Sequence, residues 1–282
     1  MIVGAFPKKD LKIYGGQLTA CKTLVESSLK NKINLVLVDS TQISNPAPRM
    51  IKRILLSCNR MIDYIVKFES SQLDATLIFT GSGIGLFEKG LMAWYSNFRG
   101  VDTYLFPRGG RLLEQFQKNK ELSYLTKFLF YPSKKILCQG PSWRRLVIEG
   151  LKRDVASAPI IPNWSATNEL LKIGKNKVFQ NKHDKRVIYV GWIDSEKGTE
   201  ELLAAINNLK DHKNLHFDLI GDGKYLNKAK KFVKDKNLEL KVTLFGWQPP
   251  SFIYEKLSQA DIFIFPSWKE GFPNAIVEAM AA

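Results

Sequence analysis

The stretch "RVIYVGWIDSEKGTEELLAAI", residues 186–206, sets the fold. An apolar, β-branched run halts at Gly191, a polar turn carries Lys197 and Gly198, and good helix formers follow. A short apolar run bounded by glycine reads as a strand buried on both faces. The pattern repeats downstream in "LHFDLIGDG" (215–223), "KVTLFGW" (241–247) and "ADIFIFPSW" (260–268), with helical stretches between. Among these, "KYLNKAKKFVKDKNLELK" (224–241) reads as an amphipathic helix with a solvated lysine face.

The same alternation runs through the first half, in "MIVGAF" (1–6), "INLVLVD" (33–39), "ATLIFTG" (75–81), "DTYLFP" (102–107), "KKILCQG" (134–140) and "PIIPN" (159–163). A helix is expected from about Gln17 to Lys30. Strands alternating with crossovers of ten to twenty residues imply parallel sheets wound on both faces. A polar, lysine-rich passage at 163–185 interrupts the pattern. Two α/β domains are expected, 1–165 and 166–282. In such sheets ligands sit at the carboxyl ends of the strands. The unusual residues cluster there: Gly15-Gly16, Gly81-Ser82-Gly83, Arg108-Gly109-Gly110, Lys197-Gly198, Gly221-Asp222-Gly223 and Glu270.

The composition, 45% hydrophobic and 24% charged, suits a globular protein with a full core. No apolar run approaches the roughly 20 residues that span a bilayer, and the N-terminus lacks a signal-peptide pattern. Cys21, Cys58 and Cys138 are far apart, which suggests buried thiols of a reducing cytoplasm rather than disulfides or zinc. The net charge of +15 favours anionic partners: nucleic acid, an anionic membrane surface or phosphorylated small molecules. No nucleic-acid recognition motif accompanies it. His212 and His216 are four apart, but His216 opens a predicted strand, so a helical metal-ligand pair is not expected.

The ordered set "YVGWIDSEKGTEELLAAI", "DLIGDG", "VTLFGW" and "ADIFIFPSWKEGFPNAIVEAMA" resembles glycosyltransferases of family 4, retaining enzymes of the GT-B fold. The last segment holds the family's Glu-x7-Glu pattern as Glu270 and Glu278. "YGGQLTA", "LFPRGG" and "IIPNW" add weaker similarity. The resemblance implies two Rossmann-like, doubly wound domains facing a cleft. Relatives continue past residue 282 with a glycine turn, a strand and a terminal helix. The second domain is therefore expected to be incomplete and the chain a fragment, poorly active or unstable by itself.

What the resemblance implies chemically is transfer of a sugar from a nucleotide-diphosphate donor to a glycan or lipid-linked acceptor, without a divalent ion or other cofactor. Charge building on the departing diphosphate needs cations and N–H donors. Gly271, Phe272, Pro273 and Asn274 stand at a helix start, where unpaired N–H groups and the helix dipole favour an anion. Pro273 is at home in the first helical turn. Lys197 resembles the family's phosphate-contacting lysine. Glu278, one turn into the helix, would accept a ribose diol in parallel hydrogen bonds, with Glu270 near the donor sugar. Gly15 and Gly16 form either a simple turn or a close approach to the donor, and Gly221 and Asp222 lie beside the nucleotide. Gly246 and Trp247 shape a base pocket, or Trp247 simply packs. Glu270, Lys197 and Arg108 are the catalytic candidates.

Two departures stand out. The family commonly has arginine after the glycine of "VGR", whereas this chain has Trp192; and where many members place a histidine, Arg108 is the nearest polar candidate. A glycosidase pair of acid and nucleophile flanking the scissile bond does not fit a glutamate assigned to the nucleotide. A GT-B epimerase or phosphorylase is a second enzyme reading. A degenerate nucleotide-sugar-binding or partner protein of the same fold is the non-enzyme alternative, motivated by Trp192. "PRMIKRILLSCNRMIDYIVKF" (48–68) carries Met50, Ile51, Ile54, Leu55, Met61, Ile62 and Ile65 at helical spacing beside Arg49, Lys52, Arg53, Arg60 and Lys67. Such a helix packs on its own sheet, lies on an anionic membrane, or does both. Arg49, Lys52, Arg53 and Arg60 are the membrane or acceptor candidates, and the expected setting is cytoplasmic, peripheral at the inner face of the membrane, building a surface polysaccharide such as lipopolysaccharide.

Overall fold

The computed structural model describes residues 1–6, 15–42, 48–108, 110–178, 183–268 and 270–282, the side chains of Arg111 and Gln117 aside. Gly109 and Tyr14, part of the segments singled out above, lie outside the described residues. The chain divides into two compact units, Met1–Asn163 and Trp164–Ala282.

In the first unit the strands are β1 (Ile2–Gly4), β2 (Leu37–Asp39), β3 (Ala75–Thr80), β4 (Asp102–Pro107) and β5 (Lys135–Ile136). They form one sheet in the order β2-β1-β3-β4-β5, parallel throughout. The helices are α1 (Gly16–Glu26), α2 (Met50–Glu69), α3 (Ile84–Phe98), α4 (Arg111–Lys118), α5 (Lys120–Phe130) and α6 (Pro141–Arg145). Ile78, Leu105, Ile136, Tyr64, Met92 and Trp143 belong to its buried core.

Three expectations about this unit need correction. α1 ends at Glu26, because Ser27 turns extended and its hydroxyl caps a short 3-10 turn at Ser28–Asn31. "PIIPN" is no strand but an isolated bridge between Ile160 and Cys138. Pro159 and Pro162 carry no N–H, so the pairing reduces to Cys138 N–H to Pro159 O and Ile161 N–H to Cys138 O. Cys21 and Cys138 are buried and burial pushes both thiols up to about 11, whereas Cys58 is exposed on α2.

The second unit runs α7 (Asn168–Asn176), β6 (Lys185–Val190), α8 (Thr199–Asn208), β7 (Leu215–Ile220), α9 (Leu226–Asp235), β8 (Val242–Gly246), α10 (Pro250–Gln259), β9 (Ile262–Phe263) and α11 (Asn274–Ala281). Its sheet, in the order β8-β7-β6-β9, is parallel. Strand periodicity sorts the side chains into two cores. Val187, Tyr189, Phe217 and Leu219 pack with residues of α8 and α9, while Ile188, Val190 and Ile220 pack with Leu170 and Leu257 of α7 and α10. Near-continuous apolar runs thus serve helices on both faces.

The helix expected over 224–241 is shorter. Asn237 takes a left-handed φ of 52°, a conformation asparagine tolerates. Leu238 N–H then reaches back to Val233 O at 2.9 Å and its side chain is buried. No helix among the described residues is long and apolar enough to cross a membrane.

Candidate active site

The strand ends of the second unit approach one another by bare backbone. Gly221 follows β7 so close to the preceding crossover that a Cβ there would lie 1.7 Å from Gly191 O. Its N–H donates to Gly246 O at 2.9 Å, and Ile193 N–H donates to Asp222 O at 2.9 Å. Asp222 itself is exposed, with Oδ1 accepting the Gly223 N–H at 2.7 Å. Gly246 closes β8, and Trp247 beyond it is 41% exposed. Trp192 is partly buried, and its carbonyl accepts the Tyr189 hydroxyl at 2.8 Å.

Lys197 sits in a 3-10 turn, Ser195–Lys197, that leads into α8 through Gly198. Gly198 has φ 70° and ψ 28°, and a Cβ on it would meet Pro266 O at 2.1 Å. Only glycine both adopts the left-handed turn and admits the neighbouring loop. That loop is fastened to the turn by Trp268 N–H to Glu196 O, 3.2 Å, and Trp268 Nε1 to Glu201 Oε1, 3.1 Å. The result is an ion pair between Lys197 Nζ and Glu270 Oε1, both side chains about a quarter exposed. Ser267 Oγ donates to the same carboxylate oxygen at 2.7 Å. Tyr189 lies nearby, stacked on Phe265 at 6.1 Å; burial, helped by the charges of Glu270 and Asp194, pushes its hydroxyl pKa up.

After Glu270 the chain passes Gly271 and Phe272 into α11. Pro273 occupies the N-cap position, with φ −76° and ψ 123°, rather than the first helical turn. A proline N-cap offers no side-chain acceptor, and no acidic residue stands in the first turn, so no side chain caps the helix start. Asn274 O accepts the Ser165 hydroxyl at 3.1 Å. Glu278 lies in the second turn, partly buried, and burial raises its carboxyl to about 7. Burial is the sole cause of that shift.

The first unit holds the remaining candidates. Gly15 and Gly16 begin α1. Arg108 follows β4; its N–H donates to Thr80 O at 2.8 Å, and its guanidinium lies 5.0 Å from the Phe106 ring centroid and 5.9 Å from that of Phe79. Burial lowers its pKa to about 10. Arg49 and Lys52 are exposed and Arg53 is partly buried. Arg60 departs from the expected cationic outer face. It turns inward and grips Glu88 of α3 with Nε at 2.8 Å and Nη2 at 2.6 Å. Lys89 Nζ also donates to Glu88, at 2.5 Å. Burial pushes Glu88 up, but Arg60 and Lys89 outweigh it and hold the carboxyl below its ordinary value. Ser267, Glu88 and Lys89 were not singled out from the sequence. A Glu-Lys pair inside a helix reads as solvated surface, and only the mixed apolar setting of Leu86 and Met92 signals otherwise.

Residues 173–282 match the family described as glycosyl transferases group 1. An uncharacterized glycosyltransferase of Methanocaldococcus jannaschii, MJ1059, is 24% identical over 161 residues, 55% of this chain and 39% of that protein. The UDP-Gal:α-D-GlcNAc-diphosphoundecaprenol α-1,3-galactosyltransferase of Escherichia coli is 38% identical over 66 residues, 23% of this chain and 16% of that protein. These alignments span well under half of the relatives. The lipopolysaccharide outer core galactosyltransferase WaaB, in its apo form, superposes with a TM-score of 0.66 at 14% identity, covering 99% of this chain and 77% of that one. The fold is thus the α/β, parallel-sheet fold of GT-B glycosyltransferases.

Proposed function

We infer the chain's activity from one premise: residues 173–282 are a glycosyl transferases group 1 domain. The chain is a retaining glycosyltransferase that moves a sugar from a nucleotide-diphosphate donor to a glycan or lipid-linked acceptor of a surface polysaccharide or glycolipid. The observation that carries this reading is the convergence of Lys197, Glu270 and Ser267 just ahead of the α11 start, which no side chain caps. Lys197 and the first N–H groups of α11 meet the diphosphate charge as the bond from sugar C1 to phosphate oxygen breaks. Glu278 accepts the ribose hydroxyls and Glu270 positions the sugar. The acceptor oxygen bonds to C1 from the face the diphosphate leaves, and its proton passes to a phosphate oxygen. Arg108 belongs to the acceptor side, while Gly15 and Gly16 approach the donor. The names of relatives support the substrate classes, since one uses UDP-Gal and a diphosphoundecaprenol acceptor.

Peripheral contact with an anionic membrane is part of the same reading. On α2, Ile51, Leu55, Ile62 and Val66 are all 60% or more exposed, beside the exposed Arg49 and Lys52. Phe98 on α3, Tyr124 on α5 and Tyr131 just after α5 add exposed aromatic surface. Apolar and aromatic side chains mixed with cations suit an interfacial position.

Thermal stability of the full chain against a panel of nucleotide sugars tests the donor. A ligand at one hundred times its Kd stabilises by about 2.7 kcal/mol. Stabilisation by a UDP- or GDP-sugar, with release of the nucleotide, is the outcome this reading requires. A flat response across the panel rejects it.

A further inference from the structure

The first unit holds its own cavity, of about 280 Å³, at the carboxyl ends of β1, β2 and β3. Three cations line it, Arg53, Arg60 and Lys89, and one acid, Glu88. Glu88 and Lys89 are 3% and 5% exposed. Arg60 and Lys89 both donate to the Glu88 carboxylate, a cluster of two cations on one buried anion. Asp39 is the next acid in reach of Arg60 and Lys89. Its Oδ1 already accepts the N–H groups of Phe6 and Thr41 at 2.9 and 2.8 Å, and the Thr41 hydroxyl. Arg53 adds a further cation and makes no ion pair among the described residues. With Asp39 counted, three cations meet two acids, and an anion would complete the set.

Gly81, Ser82, Ile84 and Gly85 line the cavity at the start of α3, a helix of 15 residues. Its N-cap is Gly83, with no side-chain cap and no acid in the first turn. Nothing lies within 4 Å of where a Cβ would stand on Gly81 or Gly85, so space is open before this backbone. Arg53 Nη2 stands 4.0 Å from the corresponding position on Gly83. A guanidinium fork, a buried cationic cluster and a helix start with an open glycine backbone therefore face one small space. This is the donor set of a tetrahedral, multiply charged oxyanion.

We propose that this cavity binds a phosphate group carried by the acceptor, through Arg53, the Arg60–Glu88–Lys89 cluster and the N–H groups that open α3. The assignment to the acceptor rests on the transferase reading above; phosphate binding itself does not. A monophosphate sugar and a diphosphate-linked carrier would present the same chemistry.

Isothermal titration of the full chain with inorganic phosphate and with pyrophosphate, each repeated with UDP present in saturating amount, tests it. Saturable binding that survives UDP and weakens at least tenfold in Arg53→Ala is the result expected. Tighter phosphate points to a sugar monophosphate, tighter pyrophosphate to a diphosphate-linked acceptor, and either outcome supports the site. Absence of saturable binding, or binding that Arg53→Ala leaves within threefold of wild type, overturns it. Should Arg53→Ala lose its native circular dichroism, Arg53→Gln is read in its place by the same criterion. If UDP fails to bind at all, the donor reading falls, while the phosphate titrations still decide this cavity.

Discussion

Lys197 and Glu270 are 73 residues apart in the chain, yet ammonium and carboxylate meet, and Ser267 shares the same carboxylate oxygen at 2.7 Å. With both side chains only about a quarter exposed, removing one partner leaves the other charge poorly solvated. A diphosphate would therefore compete with Glu270 for Lys197. Glu270→Ala frees the lysine and should tighten UDP three- to tenfold, whereas Lys197→Ala should weaken UDP at least about tenfold, a loss of roughly 1.4 kcal/mol. Calorimetric titration with UDP checks both. Equal affinities in the two variants would show that Lys197 holds no phosphate.

Glu278 carries a pH signature. Burial raises its carboxyl from 4.5 to about 7, so the folded state holds this proton more tightly than the unfolded chain does. Its contribution to stability is full below pH 4.5 and is lost as pH rises through 7. Glu278→Gln should match wild type near pH 4.5 and exceed it at pH 8, by at most about 3 kcal/mol. Donor affinity of the wild type should rise above pH 7, where the carboxylate accepts the ribose diol, and this rise should vanish in Glu278→Gln. Urea unfolding and UDP titration at pH 5 and 8 read both effects.

Gly198 holds the Lys197 turn against the 266–270 loop. Alanine there must adopt a φ of 70° and place its Cβ 2.1 Å from Pro266 O. Strain and overpacking together should cost about 2–4 kcal/mol, and the Tm should fall by roughly 5 °C or more. Calorimetric melting is sufficient to see this; an unchanged Tm would mean that the loop is not packed on the turn.

The exposed stripe of α2 predicts lipid binding without a structural role. Ile51→Asp/Leu55→Asp should reduce cosedimentation with phosphatidylglycerol vesicles at least fivefold. Both side chains are already exposed, so stability should change by no more than about 0.5 kcal/mol per site. Equal cosedimentation of variant and wild type would remove this stripe from the membrane contact.

The strand–turn–helix unit at 186–206 was legible because β-branched runs, a left-handed glycine and helix formers agree locally. Side-chain alternation on β6 and β7 then follows from parallel-strand geometry. α2 was legible as a helix, but not in its orientation. It is apolar around much of its circumference, so periodicity could not show that Met61, Tyr64, Ile65 and Phe68 face the core while Ile51, Leu55 and Ile62 face out. Arg60 misled for the same reason: its partner Glu88 is on another helix. Lys197 and Glu270 were each readable as motif residues, but their pairing was not, since its geometry depends on Gly198 and Pro266, which meet through the fold.

Nucleotide release from donor sugars, followed in parallel for the full chain and for Glu270→Ala, tests the central claim most directly. The chain is expected to consume at least one UDP- or GDP-sugar, with Glu270→Ala at least about a hundredfold slower while still binding the nucleotide. Equal rates in the two proteins, or no nucleotide bound by either, would contradict it.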